Sequence, residues 1–122
     1  MNRLASTFFL TGAIFALAGM VWGIQMSATH DHTLSPAHGH LNLIGFVAMS
    51  IYGAYYALSP TASASGLAKA HYALSVLAVV VIAPGIAIAI ANENPLLAQI
   101  GSILTLLSMA LFVVVILRNG RG

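Results

Sequence analysis

The stretch Tyr72-Ala73-Leu74-Ser75-Val76-Leu77-Ala78-Val79-Val80-Val81-Ile82-Ala83-Pro84-Gly85-Ile86-Ala87-Ile88-Ala89-Ile90-Ala91 decides the fold. It carries no charge, and apart from Tyr72 and Ser75 it offers nothing to water. About 20 such residues at ~1.5 Å rise span ~30 Å, the thickness of a bilayer's hydrocarbon core. Working outward, three more segments meet the same test, so spans are expected at about 4–26, 37–58, 68–91 and 95–117. The expectation is an all-α, integral membrane four-helix bundle forming a single transmembrane domain over 1–122. Three short connections join the helices: the polar, histidine-rich Ser27–Pro36, the Ser/Ala/Thr/Gly stretch Ser59–Gly66, and the tight turn Asn92–Asn94.

Composition points the same way. Apolar residues make up 60% of the chain and charged residues 5%, against a usual ~25% charged. A soluble domain of this composition has no polar surface with which to meet water, whereas lipid removes that need. Four basic and two acidic residues make no basic patch, so nucleic acid is not an expected partner. The absence of cysteine excludes disulfides, thiolate metal sites and iron–sulfur clusters. No phosphate loop, nucleophile elbow or pair of intramembrane carboxylates is present. The helix centres also lack the polar residues a transporter needs. No catalytic residue emerges.

Asn2-Arg3 followed by an apolar run resembles the start of a signal peptide. The run exceeds the ~7–15 residues of a signal h-region and no clear cleavage site follows, so a retained helix is expected. With four crossings, Arg3, Lys69, Arg118 and Arg121 share one side, and Asp31 and Glu93 the other. The positive-inside rule then places both termini in the cytoplasm of a bacterial-type inner membrane and the histidine loop outside. Tyr52, Tyr55 and Tyr56 are expected in the inner aromatic belt and Trp22 in the outer one. Ser35-Pro36 and Asn94-Pro95 read as helix N-caps with proline at the first helical position. Pro84-Gly85 should kink the third helix.

The chemistry gathers in Thr29-His30-Asp31-His32-Thr33-Leu34-Ser35-Pro36-Ala37-His38-Gly39-His40, which holds four of the five histidines. Imidazole binds haem iron, copper and zinc. On a regular helix, residues i and i+2 point ~200° apart, so His38 and His40 should face different neighbours unless the first turn is irregular. Gly39 between them leaves room for a flat macrocycle or another backbone. Along the His38 face follow Asn42, Gly45, Met49 and then Tyr52 or Gly53, a small and polar stripe suited to helix packing in lipid. The His40 face continues with Ile44, Val47 and Ile51, which suit lipid, a neighbouring subunit or a porphyrin edge.

His30 and His32 read as solvated loop residues. His71, at the opposite end of the bundle, reads as an interfacial anchor beside Lys69. Met20, Met26 and Met49 suit packing better than copper ligation, Gln25 suits orienting an imidazole, and Glu93 reads as solvated.

The segment His38-Gly39-His40-Leu41-Asn42-Leu43-Ile44-Gly45-Phe46, continuing to Gly53-Ala54-Tyr55-Tyr56, resembles subunit I of the haem-copper oxidases and nitric oxide reductases. It is most similar to short four-helix oxidase-subunit-I-like proteins with an H-x-H-L-N-L-x-G motif. The resemblance implies haem, possibly haem b, ligated by one or both of His38 and His40, with Gly39 and Asn42 lining the site. It implies an electron-transfer or accessory role. It also implies a homotrimer, because the family builds subunit I from three four-helix arcs around a pseudo-threefold axis. The family's separate copper-binding histidines, cross-linked tyrosine and proton-channel carboxylates have no counterpart here, so complete oxidase activity is not expected.

Two other readings stand beside haem. The outward loop is a copper or zinc site using His30, Asp31, His32, His38 and His40, or the histidines only hydrogen-bond at an interface.

Overall fold

The structure, a computed structural model, describes residues 1–119; Arg121, counted above in the topology, lies outside them. The chain forms α1 (Arg3–Thr29), α2 (Ser35–Leu58), a single helical turn Pro60–Ser63, α3 (Gly66–Asn92) and α4 (Leu96–Asn119). All four long helices are long and apolar enough to cross a membrane. Among the described residues there is no strand. Helices stand at all four expected spans, each extending beyond the expected bounds by a residue or more at one end or both.

The ends are built by local hydrogen bonds. Asn2 accepts from the Ala5 amide at 2.8 Å and donates to the Tyr56 carbonyl at 2.8 Å, which ties the start of α1 to the end of α2. α1 and α3 stop at His30 and Glu93, each left-handed at φ 55°. Asn94 accepts from the Leu96 amide at 3.2 Å and caps α4 as expected. Ser35 does not cap α2. It is itself the first helical residue, and its hydroxyl donates to the His32 carbonyl at 2.8 Å. Leu34 takes the cap position without a side-chain bond.

Small residues let the backbones approach, which is how helices associate where lipid offers no hydrophobic contrast. Along the antiparallel α1–α2 seam, Gly12 meets Met49 and Ser50, Gly45 meets Phe15, and Gly53 meets Phe8 and Phe9. The α3–α4 approach is closer. A Cβ at Gly85 would lie 2.7 Å from the Ala98 amide nitrogen, and one at Gly101 would lie 2.6 Å from the Ile82 Cα. Ser75 and Ser108 share a 2.7 Å hydrogen bond across the same interface. α3 runs unbroken through Pro84, and Gly85 beside it makes the close contact with α4. Large apolar side chains such as Leu17, Ile24, Ile51 and Leu106 remain exposed along the helices, as a lipid-facing surface requires.

The most densely buried region lies at the end opposite the histidine loop, where Ala5, Phe8, Met49, Tyr52, Tyr56, Ala68 and Val115 pack together. Tyr52 and Tyr56 do not stand in an aromatic belt. They point inward at 4% and 0% exposure, against Phe8. A second departure lies within α2, where Leu41–Ala48 adopts π-helical hydrogen bonding. π segments are rare and concentrate near functional sites; this one begins directly after His40.

Candidate functional site

His38 and His40 sit in the α-helical first turns of α2, ahead of the π segment. They diverge, as ~100° per residue demands. His38 turns to α1. Its Nε2 lies 2.8 Å from the Gly19 carbonyl oxygen, which only accepts, so Nε2 carries the hydrogen and donates. Trp22 stands edge-on to the His38 ring at 5.7 Å. A Cβ at Gly23 would lie 3.3 Å from its Nε2, so Gly23 makes the room this imidazole uses. Asn42 belongs to the same seam. Its amide donates to the His38 carbonyl at 2.9 Å and packs against Gly19.

His40 is held differently. Its Nδ1 lies 2.7 Å from the Pro36 carbonyl oxygen, one turn back on its own helix. A carbonyl oxygen only accepts, so Nδ1 is protonated and the lone pair rests on Nε2. This is the tautomer in which histidine ligates metals through Nε2. Gly39 beside it has nothing within 4 Å of where a Cβ would stand. Further along α2, Ile44, Val47 and Ile51 form one wall of a groove of about 310 Å³ whose other wall is Met109 and Phe112 of α4; His40 itself does not line it.

The loop histidines do not join this pair. His30 and His32 are exposed. Asp31 accepts from the Thr33 hydroxyl at 2.6 Å and amide at 3.0 Å. The hydroxyl bond, then the amide bond, hold the Asp31 carboxyl below its ordinary value. Among the described residues, no three of His, Asp and Glu gather as a metal-binding group. Gln25 is exposed and orients no imidazole; Trp22 is the side chain against His38. Met26 and Met49 are buried packing residues, Met20 is exposed on α1, and Glu93 is exposed.

His71 overturns the expectation of an interfacial anchor. It is fully buried, with Nδ1 2.9 Å from the Tyr56 hydroxyl and its ring stacked on Phe112 at 5.4 Å. Its Nε2 has no hydrogen-bond partner. A signal was available in the sequence. Two helical positions apart is ~200°, so a solvated Lys69 turns His71 inward, onto the stripe of Ala68, Ser75 and Ala78.

No family model, curated protein or solved structure matches the chain.

Proposed function

We propose that this chain is a haem-binding membrane protein of the haem-copper oxidase subunit I type, with His40 as the axial ligand through Nε2. One observation carries the reading. The Nδ1–H···O=C bond to Pro36 at 2.7 Å fixes the tautomer and the ring, leaving a lone pair on Nε2 of a half-buried His40, one helical turn before an apolar groove that begins at Leu43 and Ile44. Ile44, Val47 and Ile51, faced by Met109 and Phe112, suit the edge of a macrocycle, and Gly39 leaves its approach open. A bound haem b supplies a one-electron iron couple, suited to electron transfer or to an accessory role beside a redox enzyme.

His38 has a separate task on this reading. Its bond to Gly19 locks α2 against α1, so the turn that carries His40 is held from behind. Asn42 reinforces the same seam. A groove of about 310 Å³ with one side open favours completion by a neighbouring copy, in line with a homotrimer. Charge placement favours both termini in the cytoplasm, with the histidine end outside.

The test is optical. Protein expressed with a haem supply should show a Soret band that His40→Ala removes and His38→Ala retains. A wild-type preparation without a Soret band after haem is supplied overturns the proposal.

A further inference from the structure

Trp22 lines three cavities at once. One, of about 340 Å³, lies between α1, α2 and α3 and is walled by Phe15, Ala18, Leu41, Val80 and Pro84. A second, shallow and lined by α1 alone, runs beside it along Ile14, Leu17, Ala18 and Val21 to Gln25. The third, of about 150 Å³, caps them at the loop end and is lined by Trp22, Gln25, Asp31 and Leu34. Ala18 lies between the two apolar grooves. Gln25 joins the second groove to the polar cap.

Dimensions and charge name the occupant. From Gln25 to Ile14 is eleven helical steps, ~16 Å at ~1.5 Å each, about half of a ~30 Å hydrocarbon core. That is the depth of one leaflet. The inter-helix groove and the shallow one on α1 share Ala18 and Trp22 under one polar cap, a surface that two acyl chains can cover. The cap is acidic. Asp31 spends Oδ1 on Thr33, and among the described residues Oδ2 accepts no hydrogen bond. The lysine and arginines of α1, α3 and α4 stand at the opposite end. An ammonium headgroup finds a carboxylate and the Trp22 ring there, a pairing that cations favour; an anionic headgroup finds no arginine or lysine.

We propose that the Trp22–Asp31 cleft binds an amine-headed phospholipid, with the ammonium at Asp31 and an acyl chain in each groove at Ala18. The site is independent of the haem reading.

The experiment is native mass spectrometry of the full chain after reconstitution into vesicles of equal phosphatidylethanolamine and phosphatidylglycerol. Phosphatidylethanolamine adducts should dominate in the wild type. Asp31→Asn should reduce that preference by up to about fivefold, the upper limit for a solvent-exposed ion pair. Ala18→Leu, which fills both grooves, should lower retention of both lipids, with helix content by circular dichroism as the folding check. Equal retention of the two lipids, a preference for phosphatidylglycerol, an unchanged preference in Asp31→Asn or undiminished retention in folded Ala18→Leu each refutes the site.

Discussion

Replacing Gly101 by alanine sets two effects of opposite sign against each other. Helix propensity alone predicts stabilisation, because alanine is favoured over glycine by ~1 kcal/mol in a helix interior. The packing predicts the reverse. The added methyl would stand 2.6 Å from the Cα, 2.7 Å from the Cβ and 2.8 Å from the backbone nitrogen of Ile82. Carbon atoms rest at ~3.5–4.0 Å, so α3 and α4 must separate by about 1 Å. The obstructing atoms are mostly backbone and no rotamer change relieves them. Separation also loosens the Gly85 contact and the Ser75–Ser108 bond. Overpacking of this kind costs ~1–3 kcal/mol, and subtracting the propensity gain of ~1 kcal/mol leaves a net destabilisation of up to about 2 kcal/mol. The control is Gly39→Ala, where the new methyl meets nothing within 4 Å and only propensity acts, a gain of ~0.5–1 kcal/mol. Unfolding both variants in mixed micelles with increasing denaturing detergent, followed by circular dichroism, gives the two midpoints. A Gly101→Ala protein as stable as Gly39→Ala refutes the close α3–α4 approach.

His38→Ala should lower stability by ~1 kcal/mol, since the bond to Gly19 is a neutral hydrogen bond, and thermal denaturation of the apoprotein measures it. Tyr56→Phe orphans His71 Nδ1 in the core and should cost ~1–3 kcal/mol, whereas adding His71→Phe should restore part of that loss. The coupling from the double-mutant cycle checks the pair. Because Asp31 is held below its ordinary value of 3.8, its charge is present above that value and is lost only as pH falls through the lower, folded one. The phosphatidylethanolamine preference should therefore persist, carried by the Asp31 carboxylate beside His32, from neutral pH to about 5. Lipid retention measured across that range checks the sign.

The number and length of the spans followed from hydropathy alone, because a bilayer imposes a length that composition must meet. The divergence of His38 and His40 followed from helical geometry for the same reason: it is a local property of the chain. So did the packing stripe through Gly45, Met49 and Gly53. What each histidine faces was not local. Periodicity separates two faces of α2 without saying which one meets α1, and the Gly19 carbonyl that holds His38 is a backbone atom with no signature of its own. The π segment after His40 depends on hydrogen-bond register, which side-chain pattern does not encode. The inward tyrosines were misplaced because polar residues near a helix end suit both an interface and a core, and the packing of Phe8 and Phe112 around them decided it; for His71 the position of Lys69 two residues away already pointed inward. The sequence by itself determined how many helices there are and which side chains leave the first turn of α2 in different directions. The tertiary structure decided that one of those imidazoles binds α1 through Nε2 while the other binds its own helix through Nδ1 and keeps Nε2 free, because neighbouring backbone carbonyls, not residue types, select the tautomer.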